Sequence, residues 1–400
     1  MDLRTTLLII FIWCLWSIHH GVEGNSAFSR KQGNKPVKTI RTKSGHVYNC
    51  VEFHKQPAFY HPSLKNHTVH YDEIKQYVEK HSIRQKGTGI SNLKSMWLNG
   101  EGCPNGTVPI REVADNKFIN NKFPSTGIYD IKAGFEDRPN PGVHYAILRT
   151  KKSNRRYYGA GMNVSIYKPH VKGSQFSAAR FKLANGPDSI ETGWMVNPTL
   201  YGDNLTHLYV FTNGGNSHCY NTHCLGIISV RADFPIDAVI TTISTRGKEK
   251  VQYVLEFFIF KDQSNGNWFL RINGEIIGFW PAQRFEFLGE AANYVDWGGE
   301  VFSPNLPNPP MGAGDSIIFT DRKQDAFCSR ISVINEDHKV VDAPKTEKYT
   351  DLDVYHVVDG GSDNGPWRHM FYFGGSGTDP SRDGEFPLPP WDDYSHQIPP

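Results

Sequence analysis

Residues 268–280 read WFLRINGEIIGFW, in which Asn273 and Gly274 separate two apolar runs. A two-residue turn between antiparallel strands requires a positive φ at both central positions, which Asn and Gly tolerate best. The stretch therefore predicts a β-hairpin with its tight turn at these two residues. A preceding hairpin is predicted with its turn at residues 263–267, which contain Ser, Asn and Gly.

Strand-like segments of similar length fill the chain on both sides of this hairpin. From residue 144 onward, only residues 281–294 carry an apolar stripe with helical spacing, with Pro281 suited to a first helical turn. Many short strands with regular turn signals favour an all-β domain, an antiparallel β-sandwich or open barrel, over alternating βαβ units. We expect the sandwich. The predicted strands are residues 145–149, 161–167, 175–183, 191–196, 207–212, 225–230, 239–244, 253–261, 268–272, 275–280, 300–303, 316–320, 328–334 and 370–373.

Composition places the chain among globular proteins. Its 400 residues are 38% hydrophobic and 21% charged, which is enough for two modules with a sizeable core. The formal net charge of +2 gives no broad basic field, so a nucleic-acid partner is not expected.

The amino terminus has the features of a secretory signal. Residues 1–24 contain Arg4, an apolar run over residues 7–18, and small residues near Gly24. The run is too short to span a membrane, and no later segment resembles an anchor. We expect a secreted protein, extracellular or in the cell wall, with a vacuolar location as the alternative. Four glycosylation sequons, expected on surface loops, fit that route: Asn66, Asn105, Asn163 and Asn204.

A small mixed α+β module is predicted ahead of the β domain. Residues 39–60 and 97–113 have extended character, and residues 70–84 carry apolar side chains at helical spacing. Residues 115–140 are polar and rich in Gly and Pro, so they predict an exposed connection open to proteolysis.

Most kinds of hydrolytic site are not supported by the sequence. It contains no Gly-x-Ser-x-Gly elbow, no His-Glu-x-x-His zinc motif and no phosphate-binding glycine loop. No metal or cofactor is expected. Paired carboxylates remain: Glu191 lies in DSIETGW (188–194) and Glu300 in DWGGEV (296–301).

Both glutamates stand among Gly and Trp, where a carboxylate in a site of low dielectric has a raised pKa. Two such groups share one proton, so that one activates water at acidic pH. The alternative is that each is an ordinary solvated strand end. Glu275 is the rival second carboxylate, but it follows the predicted turn and is expected to face solvent.

Six motifs resemble the neprosin family over nearly the whole chain. This resemblance implies a plant secreted glutamic endopeptidase that cleaves after proline, is made as a zymogen and uses Glu191 and Glu300. After the signal peptide at 1–24, it also implies an activation propeptide at 25–135 and a catalytic domain at 136–400. The motifs are ETGW (191–194), YGD (201–203), GFWP (278–281), WGGE (297–300), CVEFHKQPAF (50–59) and CPNGTVPIR (103–111).

Aromatic residues near the glutamates are candidates for substrate binding. Trp194 and Trp297 could wall a cleft and stack on a proline ring, or they could be core residues. Tyr201, followed by Gly202 and Asp203, could donate to an oxyanion or orient a loop, or could form an ordinary turn.

The cysteines predict two disulfides in an oxidising compartment. Cys219 and Cys224 flank a four-residue loop, and Cys50 and Cys103 both precede the proposed domain boundary. Cys328 is left as a free, buried thiol, because the chain lacks a further cysteine that neprosin-like chains often place near residues 353–356.

A zinc site at Cys219, His223 and Cys224 is the less favoured alternative, since no second cysteine pair stands at metal spacing.

The predicted function is a monomeric, acid-acting endopeptidase whose substrate is a peptide or protein containing proline. The alternatives are a carbohydrate-active sandwich protein, either a glycoside hydrolase or a lectin, and a catalytically silent secreted protein. Charging of histidines in the leader as the pH falls is the expected trigger for release of the propeptide, unless those histidines are only surface residues.

Overall fold

The computed structural model describes residues 35–64, 69–82, 96–112, 142–214, 217–247, 251–317 and 320–377. It contains three antiparallel sheets and few helices. The strands are β1 Lys38–Arg41, β2 Val47–Glu52, β3 Thr107–Arg111, β4 Val143–Thr150, β5 Gly159–Ser165, β6 Phe176–Asn185, β7 Asp188–Val196, β8 Thr206–Gly214, β9 Ser217–Tyr220, β10 Ile228–Ser229, β11 Val254–Lys261, β12 Trp268–Ile272, β13 Glu275–Trp280, β14 Tyr294–Phe302, β15 Phe327–Ile334, β16 Val340–Asp342, β17 Thr346–Thr350, β18 His356–Asp359 and β19 Phe371–Gly374.

The helices are short. Helix α1 spans Tyr71–His81 and α2 spans Pro198–Tyr201, and single 3-10 turns occur at Phe53–Lys55, Pro57–Tyr60, Pro62–Leu64 and Ala282–Arg284. Within the described ranges no helix has the length and apolarity needed to cross a membrane. The predicted signal peptide, residues 1–24, lies outside these ranges.

Two large sheets pack face to face and enclose the main core. One has the strand order β17-β4-β14-β6-β7-β8-β9, and the other runs β10-β13-β12-β11-β5-β15-β19-β18, with β16 paired to β15. Phe181 and Val295 of the first sheet share one buried cluster with Phe257 and Leu270 of the second. The predicted all-β antiparallel sandwich is confirmed.

The hairpin predicted from residues 268–280 is present as β12 and β13. Asn273 and Gly274 have φ values of 45° and 83°, the positive values that the tight turn requires. The preceding hairpin also forms, since β11 ends at Lys261, β12 begins at Trp268 and the two strands pair.

The helix predicted over residues 281–294 is wrong, because only Ala282–Arg284 form a single 3-10 turn there. Phe285, Leu288 and Ala292 are buried in the sandwich core, so their apolar character reflects contacts with the sheets and not a helical face. The strand predicted over 239–244 is also wrong. Val239 makes only an isolated bridge to His207, and of this segment only Ile240 belongs to the buried sandwich core.

The N-terminal module is mixed α+β, as predicted. It consists of β1 to β3 with α1, and it docks on the nine-stranded sheet. Phe53 and Val78 share a buried apolar cluster with Phe269 and Phe279 of that sheet. Polar contacts fix the position further, since Gln56 exchanges two hydrogen bonds with the backbone of Ser229. The predicted domain boundary at residue 135 lies outside the described ranges.

Both predicted disulfides are present, joining Cys50 to Cys103 and Cys219 to Cys224. Cys328 is free and buried in β15. Because both sulfur atoms of the second pair are bonded to each other, that loop offers no thiolate for the zinc site considered above.

The sequons fall in different settings. Asn105 and Asn204 are exposed in loops, as expected of glycosylation sites. Asn163 lies within β5, where it pairs with Glu256 on one side and Ser329 on the other, so it is not in a loop. Asn66 lies outside the described residues.

Candidate active site

The two candidate glutamates lie on one face of the seven-stranded sheet. Glu191 is on β7 and Glu300 on β14, and β6 runs between these strands. In the register of the sheet, Glu191 pairs with Lys182 and Glu300 pairs with Ala178, so Arg180 stands between them on the same face. The sequence-predicted pair is therefore brought together, with a cation at its centre.

Arg180 connects the two carboxylates. Its Nε lies 3.0 Å from Glu300 Oε2 and 3.7 Å from Glu191 Oε2, and all three side chains are fully buried. A third carboxylate, Asp296, contacts Nη1 of the same guanidinium. Burial acts to lower the pKa of Arg180, but Glu191 and Glu300 outweigh it and raise that pKa, so the guanidinium stays charged.

The cluster contains three carboxylates and two cations, since Lys182 is also buried on this face. One bound proton therefore makes the group neutral. Burial, and then the neighbouring charge of Glu191, raise the pKa of Glu300 to about 7, although Arg180 and Lys182 act in the opposite direction. Burial, followed by the charge of Arg180, lowers the pKa of Lys182 to about 8. Glu300 therefore holds a proton at acidic pH.

Tyr209 of β8 holds the other glutamate. Its hydroxyl donates a hydrogen bond to Glu191 Oε1. Burial raises the pKa of Tyr209 well above its usual value, so the phenol keeps its proton and remains a donor. Among the described residues, Glu191 Oε2 and Glu300 Oε1 accept no hydrogen bond, and both retain acceptor capacity towards the site.

Glycines flank Arg180 on both neighbouring strands. Arg180 pairs with Gly193 on β7 and with Gly298 on β14. A β-carbon at Gly193 would lie 2.0 Å from Ala179 O, and Gly298 has a φ of 136° that other residues rarely adopt. Both positions therefore require glycine, because a side chain there would collide with the backbone of a neighbouring strand, β6 for Gly193 and β4 for Gly298.

The prediction that Trp194 and Trp297 wall the cleft is wrong. Both alternate to the opposite face of the sheet, where they are fully buried in the core between the sheets. Their indole N–H groups donate to backbone carbonyls, Trp194 to Ser165 O at 2.9 Å and Trp297 to Gly161 O at 3.1 Å. Trp194 and Trp297 are therefore core residues, which is the alternative interpretation given in the sequence analysis.

Tyr201 lies elsewhere on the face that carries the glutamates. It ends α2 and shares an apolar cluster with Tyr209. Its ring stacks on His207 at 3.8 Å, and Arg111 of the N-terminal module lies 5.5 Å from the ring centre. Its hydroxyl donates to Leu208 O at 3.2 Å. The structure thus places Tyr201 against the N-terminal module, with no contact to either glutamate among those described.

Glu275, the rival second carboxylate, begins β13 of the other large sheet and forms an ion pair with Arg231. Among the described contacts it has none with the cluster around Arg180.

Sequence reasoning missed Arg180, Lys182, Asp296 and Tyr209 as site residues. One signal was available. Strand β6 reads FSAARFKLAN and is buried along almost its whole length, yet it carries two cations at alternating positions. Charged residues are rarely buried unless paired, so this pattern predicts carboxylate partners on the neighbouring strands.

Fold and site together define a class: an all-β two-sheet protein with a buried carboxylate pair on one sheet face and a separate N-terminal module docked on the sandwich. Residues 173–376 match the family model described as Neprosin, and residues 39–148 match the one described as Neprosin activation peptide. The chain belongs to the neprosin family. It is therefore a protein of peptidase type with an activation peptide, and peptides are its class of substrate.

Two solved structures of Scytalido-glutamic peptidase are also similar, one with a peptide based transition state analog and one with a transition state analog inhibitor. Sequence identities are 8% and 9%, and TM-scores are 0.31 and 0.30. Each match covers 58% of this chain and 98% of the other. A likeness of this size carries no conclusion about function.

Proposed function

We propose that the protein is a glutamic endopeptidase that hydrolyses peptide bonds at acidic pH with Glu191 and Glu300. The observation that carries the proposal is the position of both carboxylates on one buried guanidinium, where Glu300 has a raised pKa. Two carboxyl groups in one site, one of them protonated, supply the acid and the base that hydrolysis of an amide requires.

The surroundings of the pair support an assignment of roles. Glu191, which accepts the Tyr209 hydroxyl, is the ionised base: it takes a proton from water as the water oxygen attacks the carbonyl carbon. Glu300 is the acid and gives its proton to the carbonyl oxygen. In the second step the tetrahedral carbon loses its amine. Glu191 delivers its proton to the departing nitrogen, and the hydroxyl returns a proton to Glu300 as the new carboxyl group forms.

We extend the proposal to cleavage after proline, which membership of the neprosin family implies. Because Trp194 and Trp297 are in the core, the residues suited to contact a proline ring are aromatic residues on the face that carries the glutamates, such as Tyr209 and Phe211. A stacking contact with a proline ring needs an apolar, rigid partner. The side chains of Tyr209 and Phe211 are held rigid because they are buried in one apolar cluster on this face.

The N-terminal module is, in this proposal, a propeptide that blocks the cleft until it is cut away. Its described part docks on the nine-stranded sheet and reaches only the edge of the face that carries the glutamates, where Arg111 donates to Tyr201 O at 2.8 Å. The proposed cut at residues 115–140 lies outside the described ranges. Secretion, glycosylation, a monomeric state and release of the module by acid are parts of the same proposal.

Incubation of the activated protein at pH 3 to 5 with a proline-containing peptide, its alanine counterpart and soluble wall glycans tests the proposal. We expect cleavage of the first peptide only. Glycan turnover without peptide cleavage would favour a carbohydrate-active protein, and no turnover of any substrate would favour a silent one. Equal cleavage of both peptides would show that the protein is a peptidase without a preference for proline.

A further inference from the structure

A second polar cluster joins the N-terminal module to the sandwich. His46, between β1 and β2, points its Nε2 at Asp203 Oδ2 at 2.8 Å, and His207 of β8 points its Nε2 at Asp203 Oδ1 at 2.9 Å. The three ligand atoms lie within 4.8 Å of one another. Two imidazoles from different modules therefore converge on one carboxylate.

The other nitrogen of each imidazole is held by an oxygen. His207 Nδ1 lies 3.1 Å from Asp237 O, and His46 Nδ1 lies 3.2 Å from Ser44 Oγ. Nδ1 of His207 is thus engaged by a backbone carbonyl, which can only accept. Nε2 is the nitrogen that faces Asp203, and it would bind a metal ion placed between the two side chains. Protein oxygens hold the outer nitrogen of metal-binding histidines in this same way.

Access also suits a cation. The side chain of His207 is fully buried, whereas those of His46 and Asp203 remain 13% and 23% exposed, so the cluster has a route to solvent. Asp203 is the carboxylate of the cluster, and Arg111 lies 3.7 Å from its Oδ2. The neighbouring acid, the buried Asp237, is paired with His223 at 3.6 Å.

We propose that His46, Asp203 and His207 bind a divalent transition metal ion of the zinc class, which ties the N-terminal module to the sandwich. Two imidazoles and one carboxylate, with a position left for water, suit zinc or cobalt better than calcium or magnesium, which prefer oxygen ligands. Removal of the module takes away His46, so the released sandwich keeps only two of the three ligands.

The site lies on the face that carries the glutamates. His207 pairs with Met195, which pairs with Ala178, which pairs with Glu300. Three strand spacings separate the two positions, roughly 14 Å at about 4.8 Å each. A metal ion here would hold the module beside the candidate active site without entering it. Metal binding at this cluster does not depend on hydrolysis of peptides by the glutamate pair.

The test uses the full chain, stripped of metal with a chelator and titrated with Co²⁺ at pH 7.5. We expect one ion per chain, a visible absorption band of four-coordinate cobalt, and displacement of that band by Zn²⁺. His46→Ala should weaken binding by about tenfold or more, because one of three ligands is lost. His70→Ala, which removes an exposed imidazole from the same module, should leave binding unchanged.

A second readout does not depend on the variants. Zn²⁺ should raise the melting temperature of the full-length wild-type protein, and a chelator should reverse the rise, because a ligand bound to the folded state stabilises it. Failure of the wild-type chain to bind stoichiometric Co²⁺, or equal affinity in His46→Ala and wild type, would overturn the proposal. Neither outcome involves peptidase activity, so neither bears on the glutamate pair.

Discussion

Arg180 Nε lies 3.0 Å from Glu300 Oε2, and both side chains are completely buried on adjacent strands of one sheet. Glu191 and Asp296 share the same guanidinium, which makes Arg180 the common partner of three acids. A buried ion pair adds little stability over an apolar replacement, but loss of one partner leaves uncompensated charge. Arg180 is therefore the residue on which the charge balance of the site depends.

Arg180→Gln should lower the free energy of unfolding by about 3–5 kcal/mol, the usual cost of leaving a buried charge without its partner. Urea unfolding at pH 7 measures the change. Arg149→Gln is the matched control: it removes a guanidinium from the partly exposed pair with Glu347, 2.9 Å apart, and should cost about 1 kcal/mol or less. Equal losses in the two variants would contradict the central role of Arg180.

Stability should fall as the pH rises past the usual value for Glu300 of 4.5 towards about 7. In that window the folded state binds more protons at Glu300 than the unfolded state, so the free energy of unfolding decreases with pH. Below the window the contribution is fully present. Glu300→Gln cannot titrate and should show a flatter dependence.

Urea unfolding of wild type and Glu300→Gln at intervals from pH 4.5 to 8 measures this difference, with Glu275→Gln as the control. Parallel curves for wild type and Glu300→Gln would show that Glu300 has no raised pKa.

Trp194→Phe should weaken the fold without changing substrate recognition. The variant removes the indole donor and leaves Ser165 O without its hydrogen bond in the core, a loss of about 1–3 kcal/mol. The KM for a proline-containing peptide should stay as in the wild type. A several-fold rise in KM with an unchanged melting temperature would instead place the indole in the substrate cleft.

Local chemistry explains which parts of the fold the sequence predicts. The turn at Asn273 and Gly274 depends on two backbone angles that these residues favour, so no distant contact was needed to predict it. Helix α1 follows in the same way from its apolar spacing. Residues 281–294 mislead because Phe285 and Leu288 pack into a core made by distant strands, and one-dimensional spacing cannot distinguish that from a helical face.

In the candidate site, too, some residues can be predicted from the local sequence and others only from the fold. Glu191 and Glu300 stand out by their Gly and Trp neighbours and by family resemblance. Their partner Arg180 becomes visible only once the register puts β6 between β7 and β14. Nearness in sequence to the glutamates wrongly predicts a cleft position for the two tryptophans. Each lies three residues from its glutamate along a strand, which puts it on the opposite face of the sheet. The ligand cluster at Asp203 joins residues 157 positions apart, from two modules.

The disulfides should contribute unequally to stability. Cys50 and Cys103 are 53 residues apart, and Cys219 and Cys224 only 5. Loop-closure entropy gives about 4 kcal/mol for the longer loop and about 2 kcal/mol for the shorter. Paired Cys→Ser variants of each bridge, compared by thermal unfolding, measure the difference. A larger loss for the short bridge would show that native contacts of its loop dominate over chain entropy.

The proposed roles of Glu191 and Glu300 as base and acid are tested by kcat/KM of the activated protein on a proline-containing peptide at pH 4. The variants are Glu191→Gln, Glu300→Gln and the control Glu275→Gln, each checked for normal folding. We predict a loss of about a hundredfold or more in each of the first two variants and near wild-type activity in the control. Near wild-type activity in either Glu191→Gln or Glu300→Gln would remove that residue from the mechanism.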